Sequence, residues 1–146
     1  MAAPLRVLFI EDSTDEVNLI LGELRRGGYE PSFAIAETWP ALENALAGDW
    51  KIAIIGDPLA GIDPVAAVTR LCGLDLPGIV VAKELHRERV VALMRAGARD
   101  ILDRDDLARL VPAIEREMRD AGERLAKNDG RRAEYELARE RDLLHT

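Results

Sequence analysis

The sequence predicts a doubly wound α/β domain, a five-stranded parallel sheet with helices on both faces, followed by a long C-terminal helical extension. Three observations carry this. Five short apolar runs alternate with segments whose apolar residues recur at helical spacing. Glycine, proline and capping residues fall at the joints between them. The last periodic segment continues past the length a small domain needs.

Taken in order, Leu5 to Ile10 reads as a first strand. Ser13, with Glu16 three residues on, is the pattern of a capping box and opens a helix. Val17, Leu19, Ile20, Leu21 and Leu24 give that helix an apolar face, and Gly27-Gly28 ends it. Pro31 to Glu37 is mixed in polarity and is expected at a sheet edge. Thr38 caps a second helix carrying Leu42, Ala45 and Leu46 and stopping at Gly48. Lys51 to Ile55 is a third strand, ending before Gly56, Asp57 and Pro58. Asp63-Pro64 pairs an N-cap with proline at the first helical position. Gly78 to Ala82 is a fourth strand, Leu85 to Ala96 a fourth helix closed by Gly97, and Arg99 to Leu102 a short fifth strand. A long helix is expected from about Asp106. The first, third and fourth strands are the most uniformly apolar and should be central.

That last helix carries Leu107, Val111, Ile114, Met118, Ala121 and Leu125, spaced alternately four and three residues apart. The first half of this stripe is expected to pack on the sheet. From Glu115 to Thr146 nine acidic and eight basic residues interleave, the pattern of a helix solvated on most sides and adhesive on one, as in a coiled coil. Asn128-Asp129-Gly130 interrupts the pattern, which resumes at Ala133, Leu137 and Leu144. The expected division is a domain over 1–120 and a helical extension over 121–146, expected as a coiled coil or signalling linker.

Composition narrows the function classes. The chain has 146 residues, 48% of them hydrophobic, enough for one globular domain with its own core. A formal net charge of −7 argues against nucleic acid as a partner. No apolar stretch approaches the roughly 20 residues of a membrane span, and no cleavage-site pattern follows the first apolar run. The single cysteine, Cys72, excludes an internal disulfide, suits a reducing cytoplasm and reads as a packing residue.

The chemically suggestive residues sit at the C-terminal ends of strands, where open α/β sheets place ligands and chemistry. Glu11-Asp12 follows the first strand, and two carboxylates there make a hard-oxygen corner suited to Mg²⁺. Asp57 lies at the end of the third strand, beside Gly56.

With these residues in place, RVLFIEDS, LRRGGYEP, GLDLP, MRAGARDIL and DDLARLVPAIEREM together resemble the receiver domain of two-component response regulators, over about residues 5 to 120. The resemblance is greatest to receivers placed ahead of PAS, histidine-kinase or diguanylate-cyclase modules. It implies a flavodoxin-like sheet of strand order 2-1-3-4-5. It also implies a phosphorylation pocket: an acidic pair for Mg²⁺, an acceptor aspartate, a Thr or Ser, a Lys and an aromatic switch residue. The acidic pair matches at Glu11 and Asp12. Setting the register from Leu59, Gly61 and Asp63 puts Gly56 at the acceptor position. Ala82 stands at the Thr/Ser position, Arg104 at the Lys position and Ile101 at the aromatic position.

The sequence therefore leads to a degenerate, pseudo-receiver reading: a non-enzymatic module that signals by contact, with no cofactor beyond a weak Mg²⁺ site at Asp12 and Glu11. Arg104 is expected to swing in and pair with Asp12 or Glu11. Two alternatives remain: phosphotransfer to Asp57 with Mg²⁺, and a small-molecule sensor using the space left by Gly56 and Ala82. The resemblance further implies a homodimer through the fourth helix, fifth strand and fifth helix together with the C-terminal helix. The interface residues expected are Arg95, Arg99, Ile101, Asp103, Leu107, Val111, Ile114, Met118 and Leu125, with His86, Arg87 and Arg89 as further basic candidates and Asp105 and Asp106 as further acidic ones. The expected partner is a protein of a signalling pathway such as a histidine kinase, PAS or cyclase module, met in the cytoplasm. The extended pattern at Thr146 is expected of a fragment of a larger signalling protein or of a stand-alone adaptor.

Overall fold

The computed structural model describes residues 2–124 and 126. Five parallel strands form one sheet: β1 (Ala3–Ile10), β2 (Tyr29–Ala36), β3 (Ile52–Asp57), β4 (Gly78–Ala82) and β5 (Asp100–Asp103). Their order is β2-β1-β3-β4-β5, the order expected, with β2 at an edge. The helices α1 (Thr14–Arg26), α2 (Trp39–Ala45), α3 (Pro64–Gly73) and α4 (Arg87–Ala96) fill the crossovers. A 3-10 turn, Arg104–Arg109, leads into α5, residues 110–124.

Alternation along the central strands builds two cores. Leu5, Val7 and Phe9 of β1, with Ile52 and Ile54 of β3, face α1 and α5. Leu8 and Ile10, with Ala53 and Ile55, face α2, α3 and α4. Every residue of β3 and β4 is buried, as expected of strands covered on both faces.

Local signals decide most helix starts. Ser13, Thr38 and Asp63 accept at their side chains from the backbone amides of Glu16, Ala41 and Val65. Only half of the expected capping box forms at α1. The Ser13 amide donates to Glu11 Oε1 at 3.2 Å, while the Glu16 carboxylate turns to Arg104. Gly97 ends α4 at φ 113°, a left-handed conformation that a side chain disfavours.

Several boundaries differ from the sequence reading, among them the starts of β1 and β2, each two residues earlier than expected. β3 runs two residues further, through Gly56 and Asp57, because both still pair with β4 at Val81 and Ala82. α4 starts at Arg87, with His86 at its N-cap and Leu85 exposed before it. The last helix is preceded by the 3-10 turn, in which Asp106 takes non-helical φ/ψ. α5 continues through residue 120, across the expected domain boundary. Leu125 and the Asn128-Asp129-Gly130 interruption lie outside the described residues.

Candidate functional site

The C-terminal ends of β1 and β3 bring Glu11, Asp12, Gly56 and Asp57 to one edge of the sheet. Glu11 is 7% exposed. Its Oε1 accepts from the amides of Asp12 (3.0 Å) and Ser13 (3.2 Å). Burial pushes its carboxyl up to about 7, against those two backbone bonds and with some help from the neighbouring Asp12 charge. Asp12 is exposed, and its Oδ2 accepts from the Ala60 amide at 2.9 Å, tying this edge to the loop after β3.

Gly56 is buried directly against Glu11. A Cβ at position 56 would overlap Glu11 Oε2. The carboxylate of Glu11 thus occupies the place where a side chain at 56 would begin. Gly56 follows Ile54 on the α1–α5 face by alternation, and Asp57 follows Ile55 on the other.

Asp57 is 9% exposed and held by α4. Arg89 donates to it through Nε (3.0 Å to Oδ2) and Nη2 (3.2 Å to Oδ1), a bidentate fork. This bond, ahead of a nearby Asp63 charge, raises the already high pKa of Arg89. Ala82 is buried, opposite Asp57 in the β3–β4 register and Asp103 in the β4–β5 register. The Lys83 amide donates to the Asp57 carbonyl at 3.0 Å.

Arg104 does not reach the acidic pair. Its Nε lies 2.9 Å from Glu16 Oε1, so the expected pairing with Asp12 or Glu11 is corrected to Glu16. The reason is reach. Glu16 lies one turn into α1, buried and without its capping-box bond, and it faces the 3-10 turn that carries Arg104.

The residues expected to hold Mg²⁺ do not fit it. Oε1 of Glu11 is already bonded twice by backbone amides, and one oxygen of Asp12 is taken by Ala60. Glycine at 56 offers no third carboxylate, and among the described residues no group of three His, Cys, Asp or Glu side chains comes together.

The expected interface residues separate. Leu107 and Ile114 are buried in the chain's own core, and Val111 and Met118 pack against it, the packing expected of the first half of the stripe; their parallel assignment to an interface is corrected to core. The same alternate spacing serves either purpose, and here the sheet takes it. Ile101 packs on the second core and is half-buried. Asp103 accepts from the Asp105 amide at 2.9 Å and so caps the 3-10 turn. Arg99 lies 4.0 Å from the buried Glu117, whose carboxyl is raised first by burial. Arg95 is exposed. Beside it on α4, Val91 (41%) and Met94 (49%) are exposed apolar residues that the sequence reading passed over.

Arg89 and Glu16 are the other residues it missed as parts of the site. A signal existed for Arg89: a cation in the first turn of a helix opposes the helix dipole, and needs a partner to hold it there. Glu16 had been assigned to the cap, which hid its second possible use.

No family model and no curated protein sequence matches this chain. Solved structures do. A CheY-like response regulator receiver domain protein from Methanospirillum hungatei matches at TM-score 0.71 and 18% identity, over 84% of this chain and 99% of that one. A two-component response regulator from Clostridium difficile matches at 0.65 and 18%, over 78% and 98%. HP1043, an orphan response regulator of H. pylori, matches at 0.64 and 19%, over 81% and 99%. At these identities the likeness is one of fold, and the fold of this chain is that of a response regulator receiver domain.

Proposed function

We propose that this chain is a receiver-fold signalling module that acts by protein contact and self-association, not by accepting a phosphoryl group. One observation carries the reading: the Glu11 carboxylate fills the space in front of Gly56, where the resemblance puts the acceptor. Ala82 offers no hydroxyl, and Arg104 is committed to Glu16. The module is non-enzymatic and metal-free on this reading. A cytoplasmic setting suits its single cysteine. Among the described residues no helix is long and apolar enough to cross a membrane.

The contact face we assign is the outer side of α4 with β5. Val91 and Met94 supply its apolar centre, Arg95 and Arg99 its basic side, and Asp103 and Asp105 its acidic side. Opposite charges on one face suit a twofold contact with a second copy. On this reading the interleaved charges and apolar stripe of the sequence over 121–146 serve a link towards a signalling partner such as a histidine kinase, PAS or cyclase module.

A second reading has its own support. Asp57 and Lys83 line the same cavity at the sheet edge, so a carboxylate and a lysine stand on one pocket. On that reading Asp57 is the phosphoryl acceptor. Beryllofluoride with Mg²⁺ separates the two. The contact reading predicts an unchanged thermal midpoint, whereas a Mg²⁺-dependent rise that disappears in Asp57→Ala would overturn it.

A further inference from the structure

β2 ends the sheet on one side, and among the described residues β1 is its sole strand partner. The edge is long and regular: all eight residues, Tyr29–Ala36, pair with β1 in one unbroken register. The Ala36 carbonyl accepts from the Glu11 amide, and the Gly28 carbonyl from the Ala3 amide. Peptide groups alternate sides along a strand, so residues 30, 32 and 34 also turn towards β1, and residues 31, 33 and 35 turn outward. Pro31 has no amide to offer, which suits an outward position. Phe33 and Ile35 each present an N–H and a C=O that no other backbone group among the described residues meets.

The side chains at those two positions are exposed as well, Phe33 to 42% and Ile35 to 40%. Both stand on the α1 side of the sheet, beside Val7 and Phe9 of β1. Phe33 meets Phe9 edge to face. An apolar edge with open peptide groups is a template for another strand. We infer that it takes a second copy of itself, β2 against β2 and antiparallel, about a twofold axis at Ala34 that joins the two sheets into one.

Self-complementarity sets the register. With Ala34 opposite Ala34 of the second copy, Phe33 falls opposite the second copy's Ile35, and Ile35 opposite its Phe33. Every outward N–H and C=O of residues 33 and 35 then finds a partner. Setting Phe33 opposite Phe33 instead would leave the Ile35 carbonyl against Pro31, which has no N–H. On the α1 side the chosen register makes two pairs of an aromatic with a β-branched residue. Glu30 falls opposite Thr38 and Glu37 opposite Pro31, so no carboxylates face each other. The helices agree with this. Asp15 lies in the first turn of α1 and Arg25 in its last turn, both exposed. The twofold sets the two α1 helices antiparallel on one side of the joined sheet, the basic end of each towards the acidic end of the other. β2 and β5 are opposite ends of the sheet, so this contact leaves the α4–β5 face free and does not depend on it.

The test uses the full chain with Cys72→Ser and one new cysteine at a time, under oxidised glutathione at low protein concentration. Ala34→Cys should give a covalent dimer in non-reducing electrophoresis. Residues of a non-hydrogen-bonded antiparallel pair have Cα atoms about 4.5 Å apart, within reach of a disulfide. Ser32→Cys should not, because the two copies of residue 32 lie roughly 13 Å apart in this register. Separately, Ile35→Lys in a Met94→Asp background, where the α4 face does not contribute, should weaken the dimer constant about tenfold in sedimentation, since symmetry counts the change twice. Its thermal midpoint at low concentration should hold, as the side chain is exposed. Equal cross-linking at 32 and 34 would overturn the register. No covalent dimer at 34, or a dimer constant unchanged by Ile35→Lys, would overturn the self-pairing and leave the edge to an extended segment of another protein.

Discussion

The contact between Gly56 and Glu11 decides what this sheet edge can do. A single hydrogen at 56 lets a longer acid from β1 fold over the end of β3. Gly56→Ala is expected to cost about 1–3 kcal/mol, the usual range for overpacking. The atom it meets is the end of a side chain, but one fixed by two backbone amides and burial. Urea midpoints for Gly56→Ala with and without Glu11→Ala check the cause, because the second change removes the obstacle and should make the pair strongly non-additive. Glu11 also carries a pH signature. Its folded-state pKa of about 7 lies above the ordinary 4.5. Between those values the folded chain keeps a proton that the unfolded chain gives up, so this group's contribution to stability falls as pH rises through the window and levels off above it. Glu11→Gln should flatten that slope and be more stable than the parent near pH 8, by on the order of 1–3 kcal/mol. Midpoints measured across the window give the answer, and a parallel pH profile in both proteins would contradict it.

The elements divide the acid–base pairs between them in a way that pattern alone misassigns. Ser13-x-x-Glu16 is a capping signal, and the Ser13 half of it forms. The Glu16 half is drawn off by Arg104 across α1 and the 3-10 turn, a contact between segments far apart in sequence. Sequence periodicity places the helices well, since caps and apolar faces are local. It cannot say which of two distant partners a carboxylate prefers. The end of β3 shows the same limit: glycine and aspartate read as loop residues, yet ladder bonds to β4 carry the strand through both. Arg104→Ala is expected to cost about 1–2 kcal/mol by leaving the buried Glu16 carboxylate without its cation. The partner is half-exposed, which keeps the value small. In a Glu16→Gln background the same change should cost much less, as a double-mutant cycle would register.

At the level of the whole molecule, strand number and the central position of β1, β3 and β4 were legible in the apolar runs between helical segments, while the strand order was what the family resemblance implied. Glu11, Asp12, Gly56, Asp57 and Ala82 were legible as residues at the ends of the strands. Their geometry was not: nothing in the sequence says that Asp57 would be claimed by Arg89. Apolar spacing of four and three suits both a sheet-packed helix and a coiled coil; the first half of the stripe was expected on the sheet, and Leu107 and Ile114 are buried there. The contact reading predicts that deleting residues 122–146 weakens self-association in sedimentation. Met94→Asp should do so as well if α4 shares the interface. A dimer constant unchanged by both would remove the assigned face.

Intact-mass measurement after incubation with acetyl phosphate and Mg²⁺ tests the central claim most directly. The mass should remain that of the unmodified chain in the parent and in Asp57→Ala alike. Addition of one phosphoryl group to the parent, dependent on Mg²⁺ and lost in Asp57→Ala, would show that Asp57 is an acceptor and that signalling by contact alone is the wrong account.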